Sequence, residues 1–94
     1  MERETLVTIL KRAAHEEEAG KRYTPEEDQE LNFYLGRPGN AMVVTHVLSV
    51  SLFDSHLEVE ARDKGTVYTG YDSVHAVLAA PKSSGKSGRG GVGF

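Results

Sequence analysis

Two segments near the middle of the chain decide the fold: residues 48–52, which read LSVSL, and residues 57–61, which read LEVEA. Apolar and polar residues alternate in both segments. Because successive side chains of a β-strand point to opposite faces, this alternation is typical of strands with one buried face and one solvated face. The sequence therefore predicts two antiparallel strands joined by a tight turn at Asp54 and Ser55.

The alternation also predicts the register of this hairpin. With a two-residue turn, Phe53 lies opposite His56, and three apolar pairs share the buried face. These pairs are Leu52 with Leu57, Val50 with Val59, and Leu48 with Ala61. A slip of one residue would place each apolar row against a polar or charged row, so this register is favoured over its neighbours.

A second turn follows at residues 63–65, which read DKG. This sequence fits a three-residue loop in which Gly65 adopts the left-handed conformation. A third strand then continues the buried face. Its predicted pairs are Val67 with Ala61, Thr69 with Val59, and Tyr71 with Leu57.

Residues 3–19 show the three-and-four spacing of apolar residues that is typical of an amphipathic helix, and Gly20 follows as a stop signal. A second helix is predicted from Thr24, because Thr24, Pro25 and Glu27 form a capping box with proline at the first helical position. Its apolar face contains Leu31, Tyr34 and Leu35. Residues 36–40, which read GRPGN, end it.

The stretch from Asp72 to Ala80 fits either a helix or a strand. Its alanines favour a helix, whereas the preceding strands favour a fourth strand, which is our prediction. Residues 81–94 are rich in glycine and serine, a composition that does not bury enough surface to order itself. The predicted fold class is therefore α+β: two N-terminal helices and an antiparallel meander of three or four strands, which curling would close toward a small barrel. We expect one domain over residues 1–80 and a flexible basic tail over residues 81–94.

Composition excludes several classes of function. The chain has 94 residues, a net charge of −3 and no cysteine, so disulfides and thiolate chemistry are excluded and no global attraction to phosphate backbones is expected. No apolar run reaches membrane-spanning length, and the charged N-terminus is unlike a signal peptide. A cytoplasmic location is the expectation.

Motifs for catalysis and for metal or nucleotide binding are weak. Asp54, Ser55 and His56 are adjacent on a tight turn, where their side chains diverge, whereas a catalytic nucleophile and its base must converge. No histidine pair has the spacing of a metal site. Residues 85–87 read GKS, but the glycine and the helix that a phosphate loop requires are missing. We expect no cofactor and no metal, and a binding role rather than an enzymatic one.

The candidate binding residues fall in two groups. The first lies on the polar face of the predicted sheet, where an aromatic-containing cluster suggests a second contact, made by the chain's own helices or by another subunit. It comprises Val47, Phe53, His56, Arg62 and Tyr68. The second group is the basic residues of the tail: Lys82, Lys86 and Arg89.

Three functions remain open from the sequence. The first is a small regulatory or protein-binding module that acts through protein contacts as a homo-oligomer. The second is a nucleic-acid-binding protein that uses the basic tail and the aromatic sheet face. The third is sequestration of a small anionic ligand at an oligomer interface lined by Arg62, Tyr68 and His56.

Overall fold

The computed structural model of the chain describes residues 1–37 and 39–82. Within these residues, one α-helix precedes eight β-strands, so the protein is mostly β and the predicted α+β fold is wrong. Helix α1 spans Arg3–Ala13. The strands are β1 (Ala14–Glu18), β2 (Arg22–Pro25), β3 (Gln29–Arg37), β4 (Asn40–Val44), β5 (Val47–Leu52), β6 (His56–Ala61), β7 (Gly65–Gly70) and β8 (Val74–Pro81).

The strands form two antiparallel sheets. The large sheet has the order β1-β2-β5-β6-β7, and the small sheet has the order β4-β3-β8. The chain leaves the large sheet after β2, forms the β3–β4 hairpin of the small sheet, and returns to the large sheet at β5. It leaves again through a short 3-10 helix, Tyr71–Ser73, and ends in the small sheet as β8.

The core lies between the two sheets, with Leu6 and Leu10 of α1 packed into it. Alternate residues of β3 and β6 point into it, as the pleat requires. The largest side chains that are completely buried are those of Tyr23, Phe33, Leu6, Leu10, Leu31 and Leu57.

The central hairpin confirms most of the predicted register. Leu52 pairs with Leu57 and Val50 with Val59. The turn at Asp54 and Ser55 is also as predicted, because the Phe53 N–H donates to the carbonyl oxygen of His56 at 2.9 Å. Five of the six side chains predicted to face inward do so.

The exception is Leu48, because a β-bulge between Val47 and Ser49 shifts the register at the start of β5. Two residues of a bulged strand oppose one residue of its partner, which exchanges the faces on which the bulged residues lie. Val47 therefore pairs with Ala61 and is 3% exposed, whereas Leu48 is 45% exposed. The predicted pair of Leu48 with Ala61 is wrong.

The β6–β7 turn occupies residues 62–64, and Gly65 follows it with a φ of +77°, the left-handed conformation that the sequence predicts. The pairing itself is shifted by two residues from the prediction. Val67 pairs with Val59, Thr69 pairs with Leu57, and Gly65 pairs with Ala61. A shift of two residues preserves the face, so Val67 still packs against the core. Tyr71 lies beyond this pairing, in the 3-10 helix.

The helix predictions are largely wrong. The first helix ends at Ala13 rather than residue 19, and the next residues form β1. The second helix is absent from the described residues, because β2 and β3 occupy that stretch. Thr24 and Pro25 of the predicted capping box lie in β2, and Glu27 lies in the turn that follows, where the Gln29 N–H donates to the carbonyl of Glu26 at 3.0 Å. Backbone pairing of β3 with both β4 and β8 outweighs this local capping signal.

The C-terminal prediction is confirmed in part. Residues 74–81 form a strand, as predicted over the helical alternative. The Lys82 N–H donates to the carbonyl of Asp28 at 3.0 Å, which continues the pairing one residue past β8. Residues 83–94, which make up most of the predicted tail, lie outside the described residues.

One carboxylate ties the β1–β2 hairpin together. The Glu16 Oε2 atom accepts hydrogen bonds from the Gly20 N–H at 2.7 Å and from the Tyr23 hydroxyl at 3.0 Å. The Gly20 amide, and then the Tyr23 hydroxyl, lower the pKa of the Glu16 carboxyl group below its usual value. Burial and the adjacent Glu16 raise the pKa of Tyr23 to about 12.

Replacing Tyr23 with phenylalanine is expected to lower the free energy of unfolding by about 1–3 kcal/mol at neutral pH, the range for a hydrogen bond to a charged group. The pKa of Tyr23 is higher in the folded than in the unfolded state, so the hydroxyl stabilises the fold fully below pH ~10 and less as the pH rises through its folded pKa. Urea denaturation of both proteins between neutral pH and pH ~12 tests this. A difference between the two that does not fall above pH ~10 would contradict it.

Candidate interaction surfaces

The structure brings Val47, Arg62 and Lys82 to one pocket, whereas Phe53, His56 and Tyr68 lie elsewhere. Val47 belongs to the core, so its predicted place on the polar face is wrong. Phe53 and His56 lie at the β5–β6 turn, where their rings stack with a centroid distance of 4.7 Å and an interplanar angle of 8°. The His56 Nε2 atom lies 3.3 Å from a carboxylate oxygen of Glu58. This pair forms a small aromatic corner rather than part of a larger cluster.

Tyr68 lies on β7 and is 68% exposed. Its cross-strand partner is Glu58 rather than the predicted Glu60, because of the two-residue shift. It lines a shallow depression of about 230 Å³ between β7 and the β3–β4 hairpin, together with Met42 and Leu35. The aromatic side chain is therefore separate from the Phe53 and His56 corner.

Arg62 and Lys82 line a larger pocket of about 400 Å³. The pocket lies between the β2–β3 turn, the β4–β5 corner and the β6–β7 turn, and Leu48, exposed by its bulge, is also part of its wall. Its charged groups have both signs: three glutamates, Glu26, Glu27 and Glu30, are also among the lining residues. An anion in this pocket would approach carboxylates as well as cations, which weakens the electrostatic attraction.

His46 forms the corner at which the chain passes from β4 to β5. Its φ of +56° is the left-handed conformation, which histidine adopts more readily than most residues with a side chain. The carbonyl of His46 accepts a hydrogen bond from the Arg62 N–H at 3.0 Å. Its Nε2 atom lies 3.8 Å from a carboxylate oxygen of Glu30, and its Nδ1 atom 3.5 Å from one of Asp63.

These contacts give His46 a structural role at the rim of the pocket. No signal in the sequence marks this conformation. In the part of the chain that the structure describes, no three histidine, aspartate or glutamate side chains are arranged to hold a metal ion.

The sites expected from the sequence are thus spread over the molecule. Arg62 lines the larger pocket, Tyr68 the smaller depression, and His56 lines neither. These three residues therefore do not form one anion site within the described chain. Lys86 and Arg89, on which the nucleic-acid prediction depends, lie outside the described residues.

A different surface, which the sequence analysis missed, is the outer face of the small sheet. Leu31, Phe33 and Leu35 of β3 point into the core, so the alternate residues and their cross-strand partners point away from it. We call these residues the outer face. On the β4 side it comprises Tyr34, Gly36, Ala41 and Val43. On the β8 side it comprises Glu30, Asn32, Ala76, Leu78 and Ala80.

This outer face is mostly apolar, and most of its members on β4 and β8 are exposed. Val43 is 40% exposed and Leu78 is 43% exposed, although neither lies at a turn. Glu30 is the one charged member of the set, and its carboxylate turns toward His46 at the pocket. Contiguous exposed apolar surface of this kind is typical of interaction sites rather than of solvated sheets.

No helix among residues 1–37 and 39–82 is both long enough and apolar enough to cross a membrane. Comparison of the chain with family models, with curated proteins and with solved structures gives no significant match.

Proposed function

We propose that this chain is a small protein-binding module that acts by self-association, and that the contact includes the β8 side of the outer face, around Leu78. The observation that carries the proposal is the outer face itself: a mostly apolar set of side chains, largely exposed on β4 and β8, on a sheet whose other face already forms the core. A sheet face that stays solvated normally carries polar residues at these positions.

The size of the face indicates how strong the association is. Three strands spaced ~4.8 Å apart and up to nine residues long cover roughly 14 by 30 Å, or about 400 Å². A stable protein interface of standard size buries about 800 Å² on each partner. We therefore expect a weak dimer, with dissociation in the micromolar range or above, rather than an obligate one.

The larger pocket supports a binding role less well. Its carboxylates and cations lie on the same walls, and the aromatic side chains that would add apolar contact, Tyr68 and Phe53, lie elsewhere. The apolar composition of the outer face is explained without a bound ligand. It requires only that water be excluded from Leu78 and its neighbours, which releases roughly 25 cal/mol for each Å² buried.

Replacing Leu78 with glutamate is expected to weaken self-association at least ~10-fold, equivalent to about 1.4 kcal/mol, because an apolar contact becomes a charge facing its own copy. Sedimentation equilibrium from low micromolar to millimolar concentration measures this. The wild-type mass should rise from that of one chain toward that of two, while the variant stays at one.

The matched control is Leu48→Glu, since Leu48 is equally exposed but lies on the large sheet. It should associate like the wild type. A wild-type protein that remains monomeric at every concentration, or a Leu78→Glu variant that associates as strongly as the wild type, would overturn the proposal.

A further inference from the structure

Strand β8 has an open edge. Within residues 1–37 and 39–82, it is the last strand of the small sheet and pairs with β3 on one side only. Among the described residues, the backbone groups of β8 that are bonded outside this pairing belong to Val74: its N–H donates to the carbonyl of Tyr71, and its carbonyl accepts a hydrogen bond from the Met1 amino group at 3.1 Å. The rest of the strand therefore presents unpaired backbone groups to solvent.

The pairing determines which residues supply these groups. The Lys82 N–H donates to the carbonyl of Asp28, which makes this pair a hydrogen-bonded one. In an antiparallel ladder such pairs alternate with non-hydrogen-bonded ones. From Lys82 back along β8, the hydrogen-bonded positions are therefore Ala80, Leu78 and Ala76. Their N–H and C=O groups point toward β3, as the register requires. Val77 and Ala79 direct theirs toward the open edge.

The side chains of β8 leave this edge unprotected. Residues 74–80 contain no aspartate, glutamate, lysine or arginine. One of the two edge strands of the large sheet, β1, is different, because it carries three consecutive glutamates, Glu16 to Glu18. Charges on an edge strand are a usual protection against pairing with another chain, and a long apolar edge without them invites it.

We propose that two copies of the chain join through their β8 edges, antiparallel about a two-fold axis at Leu78, to form one continuous six-stranded sheet. This inference rests on the self-association proposed above and specifies its geometry. A second copy is the occupant because an antiparallel strand is complementary to itself: Val77 faces the partner's Ala79, and Ala79 faces the partner's Val77.

These two pairs supply about four backbone hydrogen bonds. The axis places Leu78 against the partner's Leu78 in a non-hydrogen-bonded pair, where the Cα atoms are ~4.5 Å apart and side chains approach most closely. Both leucines lie on the outer face, so the apolar surfaces of the two copies become continuous. A register centred on Val77 would instead involve the bulged region at His75, where the pairing with β3 is already irregular.

Proline scanning separates the two sides of β8. Ala79→Pro removes an N–H that points to the open edge, so the fold should persist while dimerisation is lost. Pro81 already occupies an equivalent position two residues further along the strand. Ala80→Pro removes an N–H that bonds to β3, so this control should destabilise the fold and lower its melting temperature. Circular dichroism and sedimentation equilibrium measure the two effects.

A cysteine cross-link tests the axis. Because the chain contains no cysteine, a single introduced cysteine forms a disulfide only between two chains. Leu78→Cys should give a disulfide-linked dimer under mild oxidation, since its Cα atoms lie within the range that a disulfide spans. Ala76→Cys, on the same face, should not, because the proposed register pairs it with the partner's Ala80.

The outcomes distinguish the geometry from the proposed function. A dimer that is lost in Ala79→Pro and cross-linked by Leu78→Cys supports edge pairing. A dimer that persists in folded Ala79→Pro but is lost in Val43→Glu, on the opposite strand of the sheet, overturns edge pairing and leaves self-association through the outer face standing. A wild-type protein that never dimerises overturns both.

Discussion

Replacing Phe33 with alanine is expected to lower the free energy of unfolding by about 3–5 kcal/mol, the range for removing a large aromatic side chain from a core. Phe33 is completely buried at the centre of β3, where it pairs with Val44 on one side and Val77 on the other. Its removal leaves a cavity that borders all three strands of the small sheet. Domains of this size have a total stability of about 5–15 kcal/mol, so much of it would be lost.

Urea denaturation followed by circular dichroism measures this loss. The matched control is Tyr34→Ala, which removes an aromatic side chain of similar size from the next residue, on the outer face of the same strand. It should cost clearly less than the Phe33 substitution in the monomer, because Tyr34 is only partly buried and its removal leaves no enclosed cavity. Equal losses in the two variants would contradict the assignment of inner and outer faces.

Replacing Gly36 with alanine is expected to lower the free energy of unfolding by about 2–4 kcal/mol. The φ of Gly36 is +106°, a conformation that residues with a side chain rarely adopt. A Cβ atom there would lie 2.8 Å from the carbonyl oxygen of Asn40 and 3.2 Å from the Cα atom of Ala41. Both contacts are with the backbone of the paired strand, so the β3–β4 hairpin must move to relieve them.

Gly70→Ala is the control for this substitution. Gly70 has an ordinary φ of −82°, and a Cβ atom added to it meets nothing within 4 Å. Alanine there should leave the stability unchanged or raise it by up to ~1 kcal/mol, because the unfolded chain loses conformational freedom. Thermal denaturation of the two variants provides the comparison, and a Gly36→Ala protein as stable as the wild type would refute the argument.

The central meander was predictable because its information is local. The alternation of residues 48–61 contains both strands and the turn between them, so most of the register follows from short-range pairing. The bulge at Val47 was not predictable, since no glycine or charge pattern marks it. The two-residue shift of β7 was missed for a related reason: both registers place Val67 on the buried face, and the apolar pattern does not separate them.

The N-terminal half was mispredicted because its local signals favour helix. Leu31 and Leu35 are four residues apart, which fits one face of a helix, but with Phe33 between them they also fit the period of a strand. What decides between the two is the partner strand β8, which pairs Phe33 with Val77 far along the chain. Pairing at that distance is not encoded in any local pattern.

The candidate interaction surface was missed for the same reason. Its members come from three separate stretches of sequence, and they share a face only because β3 lies between β4 and β8. The two basic residues of the larger pocket, Arg62 and Lys82, were selected from the sequence on charge alone. Their position beside three glutamates depends on the turn between β2 and β3. The local sequence predicts a helix in that stretch, so it does not predict this arrangement.

The placement of the β3–β4 hairpin within the β2–β5 pairing affects how the protein folds. The chain between the paired residues Tyr23 and Val50 includes all of β3 and β4. Closing a loop of that length is slow compared with closing a two-residue turn. We expect β5, β6 and β7 to assemble early and the small sheet late. Hydrogen-exchange labelling during refolding should then protect Val59 well before Phe33.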